Sequence, residues 1–391
     1  MSRKRLKSIY RVFLFSVIFC LVVSLSGCSS WIDALDVIED HSISESTSND
    51  FEHFYYDQLT SSEKKAYTAM RKGCEKRKDK IVLKPLNTSS FYKAQGALMY
   101  DHPEYFWIRS FSISLLGEKV VSVSYPYEEH YNAQFRQVEE TAEQVVFKTD
   151  GLSQYDTVKY FYDYIIDTVE YDGSGDDTQD LRSVFISKRS VCAGYAKAFQ
   201  YLCTIAGIPC ITVRGTTNTG ESHAWNMIRI NGNDYWVDTT WGDPVYSQET
   251  ELDNTNYNYF CVSDEELFKT HTLSHNIEMD QTVIEDAFQF PACTDDSLSY
   301  YRLNGNYFDS YNRDTIRSYL IDTMKTGKMT GIEMKFGSGE AYQNAMADLF
   351  TGNKYIEAIL IDYRSFGVRS ISYTYGFMDE CNYIVLNIHY Q

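Results

Sequence analysis

Nucleotide-binding signatures, paired cysteines, internal repeats and positive charge are all scarce in this chain, and each scarcity removes a class of function. No phosphate-binding loop and no dinucleotide fingerprint occur, so no nucleotide or other cofactor is expected. The nine cysteines contain no CxxC pair, which argues against a zinc ribbon and supplies no disulfide framework. Positive charge is in deficit: 36 Lys and Arg face 54 Asp and Glu, for a formal net charge of −18. A surface of that sign repels phosphate backbones and anionic headgroups, so nucleic acid is not an expected partner, whereas cationic peptides or amine-bearing wall polymers are attracted.

The positive charge that exists is concentrated at the start. Arg3, Lys4, Arg5, Lys7 and Arg11 precede an apolar run from Val12 to Leu25, which ends in Leu25-Ser26-Gly27-Cys28. The run is short for a membrane span, and small residues before a cysteine suit a lipoprotein signal peptidase, so residues 1–27 read as an export signal and Cys28 as the lipidated first mature residue. The alternative is an uncleaved N-terminal anchor. Cleavage removes five positive charges and no negative one, taking the formal charge from −18 to −23. The expected location is the outer face of the cell membrane, held there by the lipid. Residues 28–50, rich in Ser, Asp and Glu, read as a solvated tether.

An apolar fraction of 43% over 391 residues is ample for two or three globular units. The expected division is an N-terminal α+β domain over 51–150, a central unit over 151–279 and a small α+β domain over 280–391. Thr60-Ser61-Ser62-Glu63 is a capping-box pattern opening a helix to about Cys74, Val120 to Tyr125 alternates as a strand, and helical periodicity covers Asn132–Phe147 and Tyr155–Val169. In the last unit Thr315–Thr326 and Ala341–Phe350 read as helices, Met329–Phe336 as a strand, and Ser370–Tyr375 with Tyr383–His389 as a closing hairpin. Cys74, Cys203, Cys210, Cys261, Cys293 and Cys381 are expected mostly as buried free thiols, although export would permit a bridge.

The central unit carries the chemistry. Ser190 reads as an N-cap, Gly207 as the residue past a helix end, and Tyr195, Ala198, Phe199, Leu202, Ile205 and Ala206 as one apolar stripe between them. Cys192 then lies in the first turn, where the helix dipole favours a thiolate and unpaired N–H groups suit an oxyanion. His223 opens a strand to Ile230, Asn231-Gly232 is a two-residue hairpin signal, and Tyr235–Thr240 returns. That register pairs Ile230 with Asn233 and His223 with Thr240, so Asp238 falls on the face of His223 at diagonal-neighbour range. Cys192, His223 and Asp238 thus read as nucleophile, base and base-orienting carboxylate. Tyr171 is the candidate second oxyanion donor, and Trp225 and Trp241 are candidate cleft walls. His271 and His275, at i and i+4, could share a helical face as metal ligands, but without a third ligand at a telling spacing no metal site is expected.

Three ordered strings, Val191 to Phe199, His223 to Asn226 and Asp238 to Trp241, resemble the transglutaminase-like superfamily, in particular its bacterial secreted branch. The resemblance extends over about residues 155–275. It implies a papain-like α+β core in which the cysteine helix packs on an antiparallel sheet bearing the histidine and aspartate, with the roles given above. The family spans transglutaminases, proteases and other amidases. The expected function is therefore an exported, lipid-anchored cysteine acyltransferase or amidohydrolase, acting on protein or peptide amides at the cell surface by transglutamination, deamidation or hydrolysis. A surface peptide- or wall-binding module with a vestigial triad is the alternative.

Overall fold

The computed structural model describes residues 53–175, 177–243, 255–279, 282–364 and 371–390. The export signal, Cys28 and the tether lie outside the described residues. Among the described residues no helix is long and apolar enough to cross a membrane.

Local signals and elements agree closely at the start. Glu63 accepts from the Thr60 N–H at 2.8 Å, completing the capping box of the Ser61–Glu75 helix. That helix and Thr88–Asp101 cover a three-stranded antiparallel sheet whose central strand is Lys119–Ser124. Helices Tyr131–Phe147 and Gln154–Thr168 follow, the second capped by Ser153, whose hydroxyl accepts from Asp156 N–H.

The central sheet has five antiparallel strands in the spatial order His271–Leu273, Cys210–Thr217, Ser222–Ile230, Asn233–Val237, Phe260–Val262. The Cys192–Ile205 helix packs on it, through small side chains. Ala193 and Ala196 meet Ala224, and buried Asn226 donates to the Ala196 carbonyl at 2.9 Å and the Ile211 carbonyl at 3.2 Å. A helix laid this close tolerates little added volume. A Cβ at Gly194 would collide with the hydroxyls of Ser190 and Ser183 and lie 2.9 Å from the Thr178 carbonyl oxygen. Gly194→Ala is therefore expected to lower stability by about 1–3 kcal/mol, read as a fall in the thermal midpoint of the full chain. An unchanged midpoint would mean that the helix shifts without cost.

The start of this helix differs from expectation in one respect. Ser190 is not its N-cap. It ends a two-residue strand, Arg189–Ser190, paired in parallel with Glu170–Tyr171, and its hydroxyl donates to the Thr178 carbonyl at 3.0 Å and lies 2.6 Å from Ser183 Oγ. Val191 is the N-cap and has no side-chain cap bond, so the serine is spent on fixing the preceding loop. Gly207 takes the left-handed conformation past the helix end, at φ 69°.

One hydrophobic core runs from Phe54 through the cysteine helix to Cys293, Tyr301 and, near the end of the chain, Cys381, Tyr383 and Val385, continuous across both 150 and 280. A second core lies under a four-stranded sheet ordered Tyr307–Phe308, Ile332–Phe336, Tyr383–Tyr390, Ile371–Met378, with helices Arg313–Lys325, Gly339–Met346 and Tyr355–Arg364. Its hairpin pairs Ile371 with Tyr390 and Met378 with Tyr383. The architecture is α+β. Cys74, Cys203, Cys210, Cys261, Cys293 and Cys381 are all buried and free.

Candidate active site

The hairpin that delivers His223 turns where the sequence says it should. Asn231 and Gly232 both have positive φ, 52° and 88°, and Ile230 pairs with Asn233. The return strand, however, stops at Val237, and its pairing with the histidine strand ends at Asn226↔Val237. The expected His223–Thr240 pair does not form. The chain instead turns on Asp238, whose Oδ1 accepts from the N–H groups of Thr240 at 2.9 Å and Trp241 at 3.1 Å. An aspartate that bonds the backbone two residues on competes successfully with the sheet ladder. The other carboxylate oxygen, Oδ2, still meets His223 Nε2 at 2.7 Å.

Cys192 is the first residue of its helix and partly exposed, whereas His223 is 7% and Asp238 0% exposed. Nε2 of His223 is engaged with Asp238, and Cys192 lies near enough to the ring to favour its charged form. Burial works against a charged imidazole, but the Asp238 charge and hydrogen bond, aided by Cys192, outweigh it and raise His223 from its ordinary 6.5 to about 10. Burial likewise works against the Asp238 carboxylate, and His223 and His271 overcome it, holding the group well below the usual carboxylate range. The site can thus keep an imidazolium beside the Cys192 sulfur at neutral pH.

Tyr171 lies beside this pair. Its ring packs obliquely on Tyr195 at 6.1 Å. Burial, then the negative charge of Cys192, Asp238 and Glu221, holds its proton on. Trp241 is half-buried, 6.0 Å from the His223 ring, and with Tyr171 lines an opening of about 230 Å³. Trp225 corrects the sequence reading: it is fully buried and lines neither of the two openings at His223. It shares the strand face of His223 one pair deeper in the sheet, stacks under the imidazole at 5.9 Å, and is covered by Trp236 and His271. A larger cleft of about 650 Å³ also reaches His223, bounded by Cys192, Ala193, Tyr100, Arg214 and Leu273.

His271 and His275 do not share a helix. His271 opens the edge strand His271–Leu273, pairs with Thr217, and places Nε2 3.0 Å from Asp238 Oδ2. His275 lies beyond that strand and bonds the Phe288 carbonyl through Nδ1 at 2.8 Å. No spacing rule joins residue 271 to residue 238; only the sheet order does. His223, Asp238 and His271 present one ligand-type atom each within 4.8 Å, the arrangement among the described residues that a metal ion could use. Both Nε2 atoms are engaged as hydrogen-bond partners of the carboxylate, and no fourth donor belongs to the group.

A thiol at a helix start and an imidazole line one cleft, and a buried carboxylate backs the imidazole. Residues 139–240 match the transglutaminase-like superfamily. Mouse (Mus musculus) kyphoscoliosis peptidase is 27% identical over 153 residues, covering 32% of this chain and 23% of that protein. The human (Homo sapiens) kyphoscoliosis peptidase is 29% identical over 119 residues, covering 26% and 18%. The chain thus matches less than a quarter of the length of these curated relatives. Among solved structures, a TGase is similar with a TM-score of 0.27 at 16% identity, over 37% of this chain and 47% of that one. The periplasmic domain of TgpA from Pseudomonas aeruginosa is similar with a TM-score of 0.22 at 18% identity, over 32% and 54%.

Proposed function

We propose, for a chain whose residues 139–240 form a transglutaminase-like domain, that it is a cysteine acyltransferase or amidohydrolase acting on protein or peptide amides. The observation that carries this reading is the 2.7 Å bond between His223 and Asp238 beside Cys192 at the edge of an open cleft. In this reading the Cys192 sulfur attacks the amide carbonyl carbon, and the Cys192 N–H with the Tyr171 hydroxyl receives the developing oxyanion. The C–N bond breaks as His223 passes its proton to the departing amine, leaving a thioester. His223, now neutral, takes a proton from water or from an acceptor amine as that nucleophile displaces the sulfur. Export and a lipid on Cys28 would set this chemistry at the outer face of the cell membrane, on surface proteins or peptides.

Alkylation tests the reading without a known substrate. Cys192 in the full chain is expected to react with iodoacetamide at pH 6, where an ordinary thiol is almost inert, and His223→Ala is expected to abolish that reaction. Gln-containing peptides, supplied with and without a primary amine, then separate transfer from hydrolysis by mass spectrometry. A Cys192 that labels only at alkaline pH, indifferent to His223→Ala, would return the protein to the binding-module alternative.

A further inference from the structure

Asp238 has two histidines on one oxygen. His223 Nε2 stands 2.7 Å and His271 Nε2 3.0 Å from Oδ2, while Oδ1 takes the N–H groups of Thr240 and Trp241. Both carboxylate oxygens are therefore fully used, and the group cannot rotate without losing several bonds. His271 is itself fixed: its Nδ1 lies 2.8 Å from Thr270 Oγ1, its side chain is fully buried, and its ring packs against Trp225, Trp241 and Tyr259 at 4.7–5.8 Å. An ionised carboxylate can only accept, so the His271 Nε2 that stands 3.0 Å from Oδ2 carries a proton directed at it, while the Thr270 hydroxyl also reaches the Leu267 carbonyl at 3.2 Å.

We infer that His271 is a positioning residue: it locks the Asp238 carboxylate and, by sharing Oδ2, weakens the hold of that oxygen on the His223 proton. The inference rests on the proposed function. A carboxylate that accepts a second hydrogen bond at one oxygen has less electron density to offer the first donor. His223 must keep its proton while the thiolate attacks and release it to the departing amine, so a grip that is too tight slows the second step. The lock serves the first step, because an aspartate ending a strand in a turn has no sheet ladder to hold it.

Other titratable groups face the cluster from the surrounding elements. Cys192 comes from its helix, Tyr171 and Glu221 from the rim, Tyr162 from the Gln154–Thr168 helix, and Tyr259 from the segment before the last strand. Asp243 lines the smaller opening and takes the Tyr195 hydroxyl at 2.7 Å. His271 differs from these groups in bonding the Asp238 carboxylate directly, at 3.0 Å.

The test compares His271→Leu and His271→Asn, which remove the donor or cannot reach Asp238, with His271→Gln, whose amide N–H can stand near the Nε2 position. The readouts are the pH profile of Cys192 alkylation in the full chain and its thermal midpoint. For Leu and Asn the rate is expected to fall about 10- to 100-fold, the usual effect of losing such a partner. The alkaline limb, which reports loss of the His223 proton, is expected to move to higher pH. Gln restores both toward the wild type, even if all three variants melt earlier. Leu and Asn profiles that superimpose on a His223-dependent wild-type profile would overturn the inference alone, as would losses that follow the melting point and ignore the Gln amide. A wild-type profile that does not depend on His223 would instead sink the proposed function.

Discussion

Replacing His223 with alanine, or Cys192 with alanine, is expected to cut turnover of a peptide amide by roughly four to six orders of magnitude, the scale on which removal of one member of such a triad acts. The two losses should not add in the double variant, because in the proposed function Cys192 and His223 work as one unit. Cys192 is partly exposed at the first turn of a helix whose packing is made by Ala193, Ala196 and the apolar stripe behind them. Its loss should leave the fold within about 0.5 kcal/mol of the wild type. His223 is a different case, since removing it strands the buried Asp238 charge with His271 as its remaining imidazole partner. The expected pattern is thus an inactive, stable Cys192→Ala and an inactive, destabilised His223→Ala, measured by mass-spectrometric turnover and by denaturant unfolding. Residual turnover within tenfold of the wild type in either variant would refute the assignment of roles.

How much of this was legible in sequence follows from the range of the forces involved. The cysteine helix, the Asn231-Gly232 turn and the pairing of Ile230 with Asn233 depend on neighbours a few residues apart, and all three were readable. The early end of the return strand was not. Alternation of Tyr235, Val237 and Thr239 reads onward as strand, while the Asp238 side chain bonds its own backbone and turns the chain. The His223–Asp238 contact survived because the carboxylate remains on the side it would have occupied in the strand. Trp225 was misplaced for want of depth: periodicity gives a face of a sheet but not whether that face is covered there. His271 was misplaced because the strand it opens is an edge strand of three residues, too short to show a period, and its partner is 33 residues away. The Tyr355–Arg364 helix is legible in the sequence, since Ile356, Ile359, Leu360 and Tyr363 recur at helical spacing and are its buried face.

Asp238→Ala is expected to be the most destabilising single change in the site, by about 3–5 kcal/mol near pH 6, because it removes one partner of a buried ion pair and leaves the other unpaired. The pH dependence of that loss distinguishes it from a simple cavity. Asp238 is held below its ordinary value of 3.8, so its contribution is present above that pH and is lost as pH falls through the depressed folded value. His223 is raised from 6.5 to about 10, so its contribution is full below 6.5 and is lost as pH rises through 10. The two windows overlap between about pH 4 and 6.5, where the gap between wild type and Asp238→Ala should be widest in denaturant unfolding. The gap should narrow toward pH 10, as His223 sheds its proton in the wild type. Asp238→Asn keeps the volume and offers an oxygen, so it should recover part of the stability, yet turnover should stay about 10⁴-fold low because an amide cannot balance the imidazolium charge and can orient the wrong tautomer. A destabilisation that is flat from pH 4 to 10 would assign Asp238 to packing and to its turn, and would remove the electrostatic basis for treating His223 as the base.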